Sequence, residues 1–244
     1  MENKVILITG ASRGLGKSIA LFLAKHGYTV IANYNNSEIE AKKLLDISKK
    51  NNYKLEIYKA DVTKRDEIRD MVQYIIEKHK KIDVLVNNAG IALPRAFEDI
   101  NDDDLDYIFN GNFYSVIRTS QEVIKNMKDN NNGSIINISS IYGITGANGA
   151  VLYAASKACI DSFTKSLAKE MGQYNIRVNS IAPGVMKTDL NNSLSEEDWK
   201  SVISESPLNR VTDPEDIAKC ILYLVEDRST TGQVISINAG TMII

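Results

Sequence analysis

Tyr153 and Lys157 stand four residues apart in the segment "YAASK". On a helix that spacing puts both side chains on one face, within reach of a single ligand. A tyrosine hydroxyl ionises near pH ~10 and is a poor acid-base group unless something stabilises its anion. A neighbouring ammonium does so, and the chemistry open to the pair is proton transfer to or from a substrate oxygen. Taken alone, the same pair also reads as two surface residues at helical spacing. Ser140, in "NISSIYG", could hydrogen-bond the reacting oxygen, or with Ser139 could satisfy the backbone groups of a turn.

A second constellation lies in "VILITGASRGLGKS", residues 5 to 18. Its inner piece fits G-x-S-x-G, the elbow that presents a hydrolase's serine between a strand and a helix. A triad Ser12, Asp61, His79 is then formally available. His79, however, lies in "EKHKK", which reads as a solvated helix end, His26 reads as a helix terminus before Gly27, and no later histidine follows. The outer frame, Gly10, Gly14 and Gly16, reads instead as a phosphate-cradling turn. Gly10 would let the chain turn off the strand, Gly14 would let the backbone approach a pyrophosphate, and Gly16 would let the helix pack closely. Amides from Arg13 through Leu15 to Gly16 would face the anion at a helix N-terminus, with Ser12 in the same turn. After the second strand, "TVIANYNNSE" offers Tyr34, Asn35 and Asn36 but no acid before Glu38. An adenosine 2′-phosphate would meet no repulsion there, and Arg13 could pair with it, so NADP(H) is the expected cofactor.

The elements that must position these residues are legible as alternating patterns. The runs "KVILIT", "TVIAN", "KLEIY", "IDVLVN", "SIINIS", "IRVNSIA" and "QVISIN" are strand-length and β-branched, and the segments between them have helical periodicity. Such alternation predicts βαβ units: an α/β, Rossmann-like, doubly wound sheet of seven parallel strands in one domain, residues 1–244. "NNAG", Asn87 to Gly90, closes the fourth strand at the carboxyl end of the sheet, where such folds bind ligands. The chain has 244 residues and a net charge of −2, so no basic field points to nucleic acid or to a membrane surface as a partner. The opening apolar run is too short for a signal peptide or a membrane span, and a cytoplasmic enzyme is expected. Two cysteines in helical patterns, Cys159 and Cys220, and two histidines argue against a disulfide framework and against a metal site. "NDDDLDY" at 101–107 reads as a solvated, capped helix start, and "KDNNNGS" at 128–134 as a helix exit into a strand.

With these motifs in order, the chain resembles the short-chain dehydrogenase/reductase family over nearly its whole length. "TGASRGLG" looks like that family's cofactor loop, "NNAG" its second motif, "YAASK" its YxxxK with Ser140 about a dozen residues upstream, and "PGVMKT" at 183–188 its PG motif. Asn112, in "NGNFYSV", falls at the family's catalytic asparagine. The resemblance implies that Tyr153 protonates a substrate carbonyl, that Lys157 lowers the tyrosine pKa and binds the nicotinamide ribose, and that Ser140 polarises the carbonyl. It implies that Asn112 holds a water linking Lys157 to solvent and that Asp61 and Val62 contact adenine. Asn35 and Asn36 would lie near the 2′-phosphate, and Asn88, Ala89, Gly90, Pro183, Gly184, Met186 and Thr188 would line the cofactor.

"SPLNRVTDPEDIAKCILYLVED" and "TTGQVISINAGTM" are similar to the subgroup that reduces 3-oxoacyl thioesters on acyl carrier protein in fatty-acid synthesis. That likeness implies a carrier-protein partner, a homotetramer built on helices around 105–128 and 153–172, and a substrate lid at 185–210. Three departures stand against it: Asn131 and Tyr174 occupy expected arginine positions, and "INAGTM" replaces the usual "DGG". Lys125, Lys128 and Lys169 could compensate. The alternatives are an NADPH-dependent reductase of a sugar, polyketide or other secondary-metabolite ketone, and a non-catalytic NADP(H)-sensing module.

Overall fold

The structure, a computed structural model, describes residues 4–191 and 194–243. Its seven strands are β1 (Val5–Ile8), β2 (Thr29–Tyr34), β3 (Leu55–Lys59), β4 (Val84–Asn87), β5 (Gly133–Ile138), β6 (Ile176–Pro183) and β7 (Val234–Ile237). All pair in parallel, in the order β3-β2-β1-β4-β5-β6-β7. Strand order reverses at β1, and the crevice outside the carboxyl ends of β1 and β4 is where a doubly wound sheet takes ligands.

Side chains of successive strand residues point to opposite faces, so each buried run feeds two cores. Ile6 and Ile8 pack with Ile19 and Leu23 of α1 (Gly14–Lys25), Leu44 of α2 (Glu38–Lys50), and Ile217, Ile221 and Leu224 of α9 (Pro214–Glu226). Val5 and Leu7 pack on the other side with Ile68, Met71 and Ile75 of α3 (Arg65–His79). Val123 and Met127 of α5 (Ser115–Asp129) and Met171 of α7 (Val151–Met171) complete that layer. The helix faces are apolar at three- and four-residue spacing, which is why each settles on the sheet.

Helix ends follow their local chemistry. Asn101 caps α4 (Asp102–Phe109) by accepting from the Asp104 amide at 3.0 Å, while Asp104 accepts from the Asn101 amide. Asp104 is not solvated as the acidic run suggests: it is buried, and Arg95 donates to it at 2.7 Å. Asn131, with φ +47°, turns the chain from α5 into β5. His79 departs from the expected solvated helix end. Its side chain is 17% exposed, and its Nε2 lies 3.3 Å from Glu56 Oε1 on β3, because the last turn of α3 leans on that edge strand.

The expected lid, residues 185–210, is described except at residues 192 and 193. It carries α8 (Glu196–Ser204), capped by Ser195, and Lys187 Nζ sits 5.5 Å from the Trp199 ring centre. Cys159 and Cys220 lie in α7 and α9 as free thiols. No helix among the described residues is long and apolar enough to cross a membrane.

Candidate functional site

The glycine turn follows β1 directly. Gly10 has φ +63° and Gly14 φ +54°, a region that costs other residues about 1–2 kcal/mol. A Cβ on Gly10 would lie 2.9 Å from the Ala89 Cα, and one on Gly16 only 2.4 Å from the Gly10 carbonyl oxygen. Asn88 fixes the turn from the β4 side: its Nδ2 donates to the carbonyls of Thr9 at 3.0 Å and Gly10 at 2.9 Å. Thr9 Oγ1 accepts from the amides of Asn88 and Ala89. Ser12 and Leu15 are buried, and the exposed Arg13 is the residue before α1. α1 thus presents its first amides at a cradle with no side chain on its floor, which fits a dinucleotide pyrophosphate.

The rim beyond β2 carries Asn35 and Asn36, both exposed. Asp61 follows β3 with Val62 buried behind it. Desolvation pushes the Asp61 carboxyl up, but hydrogen bonds from the Thr63 hydroxyl (2.7 Å) and amide (2.9 Å), the Lys64 charge and Asn35 outweigh it and hold it below the usual range. Arg13 and Lys17 both act on Glu40, so two cations face the start of α2.

Across the crevice, the acid-base residues lie on α7 and at the end of β5. Tyr153 and Lys157 share one face of α7, with Lys157 Nζ 5.6 Å from the Tyr153 ring centre. Ser140 is buried after β5 and within hydrogen-bonding reach of the Tyr153 hydroxyl. Lys157 is 3% exposed, and its Nζ donates to the Ile138 carbonyl at 2.9 Å. Burial brings this ammonium down to about 8. The Tyr153 phenol is not lowered, as the sequence reading expects of a tyrosine beside a lysine. Desolvation pushes it up, the Ser140 hydrogen bond pulls it down, and the Tyr142 hydroxyl adds to the rise. The cause is burial of the phenol itself, which the Ser140 hydrogen bond offsets only in part.

Asn112 sits in a π-helical turn, Asn110–Tyr114, between α4 and α5. It is fully buried: Oδ1 accepts from the Ile91 amide at 2.7 Å, and Nδ2 donates to the Ile91 carbonyl at 2.9 Å and Ser156 Oγ at 3.0 Å. Asn112 therefore ties the loop after β4 to α7. A Cβ on Gly90 would lie 3.3 Å from Asn112 Oδ1 and 3.4 Å from Lys157 Nζ, so only glycine leaves the space between them clear. The adjacent pair Ala89 and Gly90 joins the two halves: one abuts the glycine turn, the other the buried lysine.

Pro183 ends β6, and the Gly184 amide donates to the Ile237 carbonyl at 2.9 Å. Met186 packs against the core, and Thr188 approaches Gly14, whose Cβ would lie 3.6 Å from the threonine Cβ. The segment after Pro183 therefore returns over the glycine turn. The triad Ser12, Asp61, His79 is not assembled, since His79 pairs with Glu56 at the far end of α3.

Several residues that support the site have no role assigned by the motifs, Asn87 entering only as the first letter of "NNAG". Asn87 Nδ2 donates to Ser120 Oγ and Asn137 Oδ1, and Asn137 Nδ2 donates to Thr164 Oγ1, a buried polar chain linking β4, β5, α5 and α7. Asp161, one turn beyond Lys157, is buried as well. The spacing in "KACID" was the available signal for Asp161. Polar residues in otherwise apolar runs, "LVNN" and "IINIS", were the signal for the amides.

The family model for short chain dehydrogenase matches residues 4–199. The chain is 41% identical to the 3-oxoacyl-[acyl-carrier-protein] reductase FabG of Thermotoga maritima, over 100% of this chain and 99% of that one. It is 39% identical to the FabG of Chlamydia trachomatis and 36% identical to that of Staphylococcus epidermidis, each over 98% of both chains. The crystal structure of gox2181 superposes with a TM-score of 0.94 at 27% identity, covering 99% of this chain and 96% of that one.

Proposed function

The chain belongs to the short-chain dehydrogenase family, oxidoreductases acting between CH–OH and C=O with a nicotinamide cofactor, and from that premise we propose that it is an NADPH-dependent reductase of 3-oxoacyl thioesters. The observation that carries this reading is the bridge made by Ala89 and Gly90 between a phosphate-type glycine turn and the buried Lys157. A cradle for the dinucleotide and an acid-base group are thereby parts of one crevice.

The residues proposed to hold the cofactor are the turn from Gly10 to Gly16, Asn35 and Asn36, Asp61 and Val62, Asn88 to Gly90, Pro183, Gly184, Met186, Thr188, Tyr153 and Lys157. The preference for NADPH is supported by the acid-free end of β2 and by Arg13 and Lys17 on that rim. When bound, the nicotinamide supplies the hydride. Ser140 holds the carbonyl oxygen of the substrate beside the Tyr153 hydroxyl, which gives up its proton to that oxygen as the alcohol forms. A phenol held protonated suits a proton donor, which must carry its proton until the oxygen becomes basic. Lys157 supplies positive charge beneath the tyrosine, and Asn112 fixes the loop that keeps Gly90 against it.

The substrate class rests on the full-length likeness to reductases named for 3-oxoacyl-[acyl-carrier-protein]. Docking of an acidic carrier protein and closure of residues 185–210 over the acyl chain belong to the same proposal, as does a homotetramer. Exposed Leu105, Tyr107 and Tyr114 on α4 and the π-helical turn supply apolar surface for subunit contact.

The test is NADPH oxidation with acetoacetyl-CoA, the same acyl group on acyl carrier protein, small ketones and a sugar panel. Turnover of either thioester at the highest kcat/KM is expected. Rapid reduction of a ketone or sugar with neither thioester turned over would contradict the proposal.

A further inference from the structure

Asp161 lies four residues beyond Lys157 on α7, so the two side chains occupy the same helix face. It is 7% exposed, and Ser180 of β6 donates to its Oδ1 at 2.6 Å. Its Oδ2 is buried without a hydrogen-bond partner among the described residues. Ser139, at the end of β5, donates to the Lys157 carbonyl at 3.2 Å and also steadies the Asp161 carboxylate. A buried carboxylate oxygen with no donor is costly unless a nearby cation compensates it.

Two cations act on Asp161: Lys165, the stronger, and Lys157. Lys165 is exposed, and water and salt screen it. Lys157 is buried, and Asp161 is the only charged group among the described residues that acts on it. The other titratable groups nearby are Tyr153 on α7 and Tyr142 at the start of α6 (Tyr142–Thr145), and Tyr142 acts on Tyr153. The facing residues of β5 and β6, Ser139 and Ser180, and Asn112 of the π-helical turn are uncharged.

We infer that Asp161 is a positioning residue for the reaction: its carboxylate, pinned by Ser180, is the counter-charge that keeps the Lys157 side chain an ammonium. The functional weight of the inference rests on the reading of Lys157 given above; the electrostatic part does not. Burial alone drives Lys157 down and drives Asp161 up, and each charge opposes the other's shift. Removing the carboxylate leaves the lysine with desolvation unopposed, so it loses its proton at lower pH.

Asp161→Asn keeps the size of the side chain and removes its charge. In the free protein, the ε-carbon resonance of Lys157 is assigned by its loss in Lys157→Met and followed against pH. A midpoint lower than wild type by about one pH unit is expected in Asp161→Asn, in keeping with a charge one helical turn away at intermediate dielectric. Asp161→Ser, a smaller uncharged residue, should give a shift of the same sign, and serves if Asp161→Asn does not fold. An unmoved midpoint in both variants would overturn the inference.

The alkaline limb of kcat/KM for NADPH-dependent reduction should fall to lower pH with the resonance, and a merely structural role would lower kcat/KM equally at every pH. A resonance that shifts while the limb stays put would leave the counter-charge in place and sink the functional reading of Lys157 instead.

Discussion

Arg13 Nε lies 3.6 Å from Asp189 Oδ2, so the residue proposed to receive the 2′-phosphate is held by the segment that follows Thr188. Both side chains are about half exposed, and such a pair contributes only about 0–1 kcal/mol. A phosphate dianion would displace Asp189 readily. Asp189→Asn should therefore lower the KM for NADPH about two- to fivefold and leave that for NADH unchanged. Arg13→Ala should raise the KM for NADPH about tenfold or more. Equal effects on both cofactors would contradict the assignment of Arg13.

An acid after β2 should move preference toward NADH. Tyr34 is a poor place for it, because that side chain is buried and a carboxylate there would be desolvated. Asn35 is the next residue and exposed. Asn35→Asp should reduce kcat/KM for NADPH more than for NADH, measured by varying each cofactor at saturating carbonyl substrate.

Lys157→Met exchanges a buried ammonium for an apolar chain of similar length. The folded-state pKa is depressed to about 8, below the unfolded value near ~10.4. Below about 8 both states are protonated and the folded state bears the full desolvation cost, which fades as pH rises toward the unfolded value. Relative to wild type, the variant should thus lose on the order of 1–3 kcal/mol of stability between pH ~7 and pH ~10.5, over and above the pH-independent cost of leaving Asp161 without its cation. Urea unfolding at the two pH values tests this; a stability difference that does not change between them would contradict it.

Ala239 has φ +56°, in a turn whose carbonyl accepts from Ser206 Oγ at 2.7 Å. This is the turn where "NAG" stands in place of the usual glycines. Ala239→Gly should relieve about 1 kcal/mol of left-handed strain and raise Tm by roughly 2–4 °C. An unchanged or lower Tm in calorimetry would show that the turn is not strained.

The sheet was legible because its inner strands are short, β-branched runs buried on both faces, while the edge strands β3 and β7 are only partly buried; "KVILIT" and "IDVLVN" leave no other reading at their length. The glycine turn and the Tyr153–Lys157 face were legible because spacing alone defines them. What periodicity could not reveal were contacts between distant segments: Asn112 with Ile91, Asp161 with Ser180, Arg13 with Asp189. The π-helical turn that aims Asn112 joins α4 to α5 and carries no residue pattern of its own. His79 was misjudged because its partner, Glu56, lies 23 residues upstream on β3.

Asn131 and Tyr174 come close in space, since Asn175 Nδ2 donates to the Asn131 carbonyl at 3.3 Å and Lys128 Nζ sits 4.3 Å from the Tyr174 ring centre. Lys125 is already paired with Glu122. Asn131 is left-handed, so arginine there would be strained, and Tyr174→Arg is the better substitution. It should raise kcat/KM for the carrier-bound substrate at low salt and leave acetoacetyl-CoA unchanged, because rim charges act mainly on encounter. Equal gains on both substrates would point to an effect on chemistry instead.

The central claim is that the Tyr153 hydroxyl protonates the substrate oxygen. Tyr153→Phe removes that hydroxyl and keeps the ring, so the decisive measurement is kcat for thioester reduction alongside NADPH affinity by fluorescence. The account predicts near wild-type affinity with kcat reduced about 10²-fold or more, the scale of general acid catalysis. A variant keeping more than about a tenth of the wild-type kcat would contradict it.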